Sequence, residues 1–241
     1  MFSLKDKIAI VTGASQGIGA ALVRSFHDRN YRVVAISRSV RPSADVNLIT
    51  VRGDVADPRT ADMALKQALD RFGRVDTLVN NAGMFMAKPF TMYSNEDYAA
   101  YIATNVTGFF YMTRAAIDAM LKQRSGHVVS ISTSLVDQPM TSVPSALASL
   151  TKGALNAATK SLAIECAGRG VRVNAVSPGI IKTPMHPAEA HPALAQLHPM
   201  GRMGEMSDIV DAVMYLDQAQ FVTGEILHVD GGQAAGHHVI Q

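Results

Sequence analysis

The residues able to do chemistry begin with a glycine-rich turn. Thr12-Gly13-Ala14-Ser15-Gln16-Gly17-Ile18-Gly19 joins an apolar run at 8–11 to a helical pattern. Glycines there let the backbone turn sharply and approach a pyrophosphate, whose charge a helix N-terminus favours. The second apolar run ends Val34-Ala35-Ile36-Ser37-Arg38, with no carboxylate until Asp45. An acid at this place would bond a ribose 2′-hydroxyl, whereas an arginine pairs in bidentate fashion with a 2′-phosphate. Ser37 and Arg38 therefore predict a phosphorylated dinucleotide, although Gln16 in the turn adds no second cation. Further along, Lys152 lies in a helical stretch, Thr133 and Ser134 follow a strand pattern, and His186, His191 and His198 lie in a proline-rich segment.

Positioning these groups requires strands and crossover helices. Short apolar runs at 7–12, 32–37, 48–52, 77–80, 127–132, 171–176 and 225–229 read as strands. Longer patterns separate them, as in a parallel sheet with crossover helices. Ile18, Ala21, Leu22 and Phe26 recur at helical spacing, as do Met63, Leu65, Leu69 and Phe72. Long helices are expected at 95–121 and about 145–167. The segment 183–203 carries Pro184, Pro187, Pro192 and Pro199, which limit the helix it can hold. An insert of this length reads as a substrate lid. With no repeat, linker or low-complexity tract, residues 1–241 are expected to form one domain containing that lid.

The totals exclude several classes. Hydrophobic content of 48% against 17% charged residues describes a chain with a large core. A net charge of +2 with scattered basic residues and no Trp predicts no nucleic-acid partner and no membrane surface. The single cysteine, Cys166, cannot form an internal disulfide and reads as a buried apolar residue. No Cys/His spacing suggests a metal site. Charges in Met1-Phe2-Ser3-Leu4-Lys5-Asp6-Lys7 argue against a secretory leader, so a soluble, cytoplasmic protein is expected.

Taken together, these motifs resemble the short-chain dehydrogenase/reductase family, and the resemblance runs through essentially all of the chain. Gly13, Gly17 and Gly19 match its glycine turn, Asp54-Val55 its adenine-contacting pair, and Asn80-Asn81-Ala82-Gly83 its Asn-Asn-Ala-Gly loop. Asn105 matches its helix asparagine, and Pro178-Gly179 with Thr183 its carboxamide-binding segment. Phe221-Val222-Thr223-Gly224 and Asp230-Gly231-Gly232 match its C-terminal strand region. The resemblance implies an α/β Rossmann-type fold, a doubly wound parallel sheet of seven strands in the order 3-2-1-4-5-6-7 with helices on both faces. It implies a nicotinamide cofactor, taken with Arg38 to be NADP(H). The cofactor is expected to be held by Gly13, Ser15, Gln16, Gly17, Ile18, Gly19, Ser37, Arg38, Asp54, Val55, Asn81, Ala82, Gly83, Lys152, Pro178, Gly179, Ile181 and Thr183. It also implies a homo-oligomer, a dimer or tetramer.

In the family a serine, a tyrosine, a lysine and an asparagine act together, with tyrosine as the acid in carbonyl reduction. Lys152 and Asn105 are present, but Ala148 stands at the tyrosine position, four residues before the lysine. Counting forward from the strand gives Thr133 as the hydroxyl; counting back from Ala148 gives Ser134. Losing a general acid costs typically 10²- to 10⁴-fold in reactions that need one. The expected activity is therefore hydride transfer to or from a small, largely apolar substrate, a C=N or activated C=C, with little need of a phenol. Two alternatives stand beside it: a catalytically silent dinucleotide-binding protein acting as sensor or assembly subunit, and a carbonyl reductase with His186 as surrogate acid. Met84, Phe85 and Met86 are expected to line the substrate pocket.

Overall fold

A computed structural model describes residues 7–236; the leader reading at 1–6 lies outside the described residues. In chain order the strands are β1 (Ile8–Thr12), β2 (Arg32–Ser37), β3 (Leu48–Arg52), β4 (Thr77–Asn80), β5 (Gly126–Ile131), β6 (Val171–Pro178) and β7 (Ile226–Val229). They form one seven-stranded sheet, ordered β3-β2-β1-β4-β5-β6-β7, with every neighbouring pair parallel. The helices are α1 (Gly17–Asp28), α2 (Pro58–Phe72), α3 (Asn95–Tyr101), α4 (Gly108–Gln123), α5 (Ala146–Ala167), α6 (His191–Ala195) and α7 (Met206–Gln218). Among the described residues no helix is long and apolar enough to cross a membrane.

Strand alternation sorts the side chains into two cores. Ile8 and Ile10 pack with Leu65 of α2, Met112 of α4 and Cys166 of α5, whereas Ala9 and Val11 pack with Leu22 and Phe26 of α1 and Leu216 of α7. The sheet is thus covered on both faces, so its strands can be apolar throughout. Strand order reverses between β1 and β4, and a crevice opens beyond their carboxyl ends.

The long helix expected at 95–121 is divided. α3 starts at a capping box between Ser94 and Asp97, then gives way to a π-helical turn, Ile102–Thr107, before α4 resumes α geometry. That wide turn carries Asn105, and such turns gather at functional positions. Helix α6, five residues long, breaks the proline-rich segment.

The amino ends of the central strands are locked by a buried carboxylate. Asp217 of α7 accepts from Tyr31 Oη at 2.6 Å and from Thr77 Oγ1, with Lys7 Nζ at 3.4 Å and His127 Nδ1 at 3.7 Å. Burial pushes its carboxyl up, but His127 and the hydroxyl donors outweigh that and hold it well below the usual carboxylate range.

Candidate active site

A cleft of about 700 Å³ opens at the crevice between β1 and β4, a volume suited to a cofactor or small ligand. Its first wall is the turn after β1. Thr12 Oγ1 accepts from the backbone N–H groups of Asn81 and Ala82 at 3.0 and 2.9 Å, and Asn81 Nδ2 donates to the Thr12 carbonyl at 2.9 Å. These bonds press the turn against the loop after β4. Gly13 sits at φ +66°, and a Cβ there would lie 2.8 Å from Asn81 Nδ2 and 2.9 Å from Ala82 Cα, so no other residue fits. Gly17, at φ +55°, opens α1, whose N-cap Gln16 makes no side-chain cap bond. The first N–H groups of that helix therefore lack an internal acceptor. Ser15, Gln16, Gly17 and Ile18 line the cleft beside them, a cradle that fits a phosphate. Gly19 departs from its expected place: it does not line the cleft but lies against Gly13, whose carbonyl oxygen is 2.2 Å from where a Cβ would be.

At the end of β2, Ser37 and Arg38 also line the cleft, as do Asp54 and Val55. The Arg38 guanidinium is 81% exposed and lies 3.9 Å from Asp54 Oδ2, a contact loose enough to leave it open to an anion. Ser39, which the sequence reading passed over, lines the same corner; Ser37 Oγ accepts from its backbone N–H at 3.2 Å.

Lys152 dominates the inner wall. It is 9% exposed, and its Nζ donates to the Ile131 carbonyl at 2.7 Å. Burial pulls its pKa down to about 8. Ala148, one helical turn earlier on α5, lines the cleft with a methyl group. Thr133 and Ser134 both line it too, but their hydroxyls differ in state. Thr133 Oγ1 accepts from Leu135 N at 3.4 Å, capping a short turn, whereas Ser134 Oγ is buried without a partner among the described residues.

Asn105 stands behind this wall rather than in the main cleft, lining a small void beneath it. Its Oδ1 accepts from Met84 N at 2.9 Å and its Nδ2 donates to Thr151 Oγ1 at 3.0 Å, so it ties the β4 loop to α5. A phenol does pack beside Ala148: Tyr101 is fully buried in the same small cluster. Its hydroxyl accepts from Met86 N–H and donates to Met86 O at 3.1 Å, and burial pushes its pKa up to about 12. Tyr101 does not line the cleft; its hydroxyl braces the Met86 backbone.

The outer wall mixes apolar and imidazole groups. Met84, Phe85, Met185 and Leu194 line it, while Met86 packs in the cluster around Tyr101. Pro178, Gly179, Ile181, Thr183 and His186 also line it, the last two from the segment 183–203. Burial first and His191 second pull His186 below the usual imidazole value. His198 is structural: its Nε2 accepts from Ile180 N at 2.9 Å. Gln233, also overlooked in the sequence, enters the cleft from the turn after β7.

Sheet order, glycine turn and paired β4 loop define a dinucleotide-binding α/β architecture of one lineage. A family model described as Enoyl-(Acyl carrier protein) reductase matches residues 13–234, and the chain belongs to the short-chain dehydrogenase/reductase family of oxidoreductases. Among its relatives, the 3-oxoacyl-[acyl-carrier-protein] reductase FabG of Vibrio cholerae is 35% identical, over 95% of this chain and 98% of the relative. The 3beta-hydroxysteroid dehydrogenase 1 of Eggerthella lenta is 37% identical over 95% and 94%. Among solved structures, ElxO with NADP bound superimposes with a TM-score of 0.89 at 29% identity, covering 95% of this chain and 99% of that one. The 3-ketoacyl-(acyl-carrier-protein) reductase from Brucella melitensis complexed with NADH also gives 0.89, at 29% identity, covering 96% and 100%.

Proposed function

We propose that this chain uses NADP(H) to transfer hydride to or from a small, largely apolar substrate, a C=N or activated C=C with little need of a phenolic acid. The observation that carries this reading is Ala148: a methyl group lines the cleft one turn before buried Lys152, and Tyr101 beside it is engaged with Met86. When bound, the nicotinamide supplies or takes the hydride. The left-handed glycines, the uncapped α1 terminus and the exposed Arg38 fit such a cofactor, with Arg38 and Ser37 selecting the 2′-phosphate. ElxO, which carries NADP, supports that choice. Asp54 and Val55 are assigned to the adenine, and Asn81, Ala82, Gly83, Pro178, Gly179, Ile181 and Thr183 to the nicotinamide half. Asn105 positions the β4 loop.

The lid at 183–203 closes the apolar side, where Met185 and Leu194 join Met84 and Phe85 on the apolar wall and help exclude water. Exposed Phe110, Leu150 and Ile164 on α4 and α5 support the expected homo-oligomer. A second reading, ketone reduction with His186 as acid, draws on the names of the FabG relatives and on the place of His186 in the cleft. Its lowered pKa leaves that imidazole mostly neutral at pH 7, which weighs against it. The deciding experiment follows NADPH consumption with enones, imines, quinones and simple ketones. Turnover of the first two and not of ketones supports the proposal. Binding of NADPH with no consumption on any acceptor would sink it and leave a silent dinucleotide-binding subunit.

A further inference from the structure

Gln233 lies in a short turn after β7 and is 2% exposed, yet neither polar atom of its carboxamide has a hydrogen-bond partner among the described residues. Ser134, 1% exposed, starts the short turn after β5, and its hydroxyl is likewise unpartnered. The two turns pack against each other, and both residues line the cleft that Ala148 lines. Buried polar atoms are nearly always paired, so two orphans facing one cleft from adjacent turns mark a ligand's polar contact. Neighbouring hydroxyls are already used: Thr133 caps Leu135, Ser149 Oγ donates to the Leu135 carbonyl at 3.0 Å, and Thr151 Oγ1 donates into its own helix at 3.0 Å. Ser132 Oγ shares the cleft and also lacks a partner.

A carboxamide offers N–H donors and a serine one O–H donor. Neither gives up a proton near neutral pH, but both can stabilise an oxygen that gains charge. An iminium carbon presents no such oxygen, whereas a C=C conjugated to a carbonyl does. We propose that Gln233 Nε2 and Ser134 Oγ bind the carbonyl oxygen of an α,β-unsaturated carbonyl substrate and stabilise the negative charge it acquires. The inference rests on the reading of the site given above and narrows it from two acceptor classes to one. In balanced form, the β-carbon accepts hydride from reduced nicotinamide, the C=C electron pair shifts to make an enolate, and its oxygen carries the charge beside Gln233 and Ser134. The α-carbon then takes a proton from water, giving the saturated carbonyl compound and oxidised cofactor.

Para-substituted phenols test the pair without turnover, because a phenolate oxygen stands in for the enolate oxygen. Affinities are measured by absorbance on NADP⁺-saturated parent, Gln233→Leu, Ser134→Ala and Ser132→Ala, with Tm recorded on each ligand-free protein. The parent should bind more acidic phenols more tightly. Gln233→Leu and Ser134→Ala should each weaken the most acidic phenol about 10-fold or more. Because no internal partner is lost, the Tm of ligand-free Gln233→Leu should equal or exceed that of the parent. Unchanged phenol affinity in Gln233→Leu, dependence on Ser132 alone, or a lowered Tm in Gln233→Leu overturns the inference. If the phenol dependence holds while enones leave NADPH unconsumed, the donor pair stands and the hydride-transfer reading fails.

Discussion

Lys152 Nζ donates to the Ile131 carbonyl at 2.7 Å, tying the first third of α5 to the carboxyl end of β5. The bond holds an ammonium group inside the protein, one helical turn from the Ala148 methyl. Every expectation about proton handling here starts from that pairing.

The first concerns stability at alkaline pH. Lys152 titrates at about 8 in the folded chain against 10.5 for the ordinary side chain. The folded state therefore releases its proton first, and its burial penalty, roughly 3 kcal/mol, is relieved as pH rises from about 8 to about 10.5. Lys152→Met has no such group. Denaturant melts at pH 7.5 and 10 should show the parent gaining stability relative to this variant; parallel curves would contradict the assignment.

Adding a phenol should add ketone chemistry. Ala148→Tyr places an acid in the cleft beside Lys152, and reduction of simple ketones should rise about 10²- to 10⁴-fold. The readout is kcat/KM with NADPH. Absence of any gain would mean that the cleft differs from a carbonyl reductase in more than one side chain.

Arg38 should set cofactor choice. Arg38→Asp should weaken NADPH about tenfold or more and leave NADH little changed, because only the phosphate contact is lost. Fluorescence titration gives both constants. Equal affinity for the two cofactors in the parent protein would remove the premise.

His186 should prove a wall and not an acid. Its imidazole is held below the usual value by burial and by His191, so it is mostly uncharged at pH 7. His186→Ala should leave kcat and its pH profile between 6 and 8 within about twofold, with any change falling on KM. A lost acidic or basic limb would instead favour the surrogate-acid reading.

At the amino ends of the central strands, Asp217→Asn should cost about 2–4 kcal/mol, because Tyr31, Thr77 and Lys7 all converge on its carboxylate. The folded carboxyl is depressed, so its contribution is present above the unfolded value near 3.9 and is lost as pH falls below it. Acid unfolding of the parent should therefore be steeper than that of Asp217→Asn.

Much of this was readable from the chain because periodicity and glycine placement are local signals. β2, β3 and β4 fall on the apolar runs 32–37, 48–52 and 77–80, and left-handed Gly13 and Gly17 form the turn that follows β1. The π turn was not readable, since residues 95–121 keep helical periodicity across it and only the backbone reveals the extra residue. Asn105 was identified by motif, but its place behind the wall depends on the Met84 and Thr151 bonds, which join distant segments. Gln233 carried no motif at all. What marks it is burial without a partner, a property that exists only once β7 has brought the C-terminal turn against Ser134.

The widened turn at Ile102–Thr107 bears on what a deletion would do. Removing one residue, Ala103 for instance, would let α3 and α4 fuse into one regular helix, a gain in local regularity. Because the wide turn already absorbs the surplus residue, the excision would leave everything upstream near its present angle about the axis of α4. Tyr101 would keep its place under Met86. The cost would fall on the turn itself, where Asn105 spans from Met84 to Thr151. The surplus residue thus serves the aim of one asparagine and not the standing of the flanking helices.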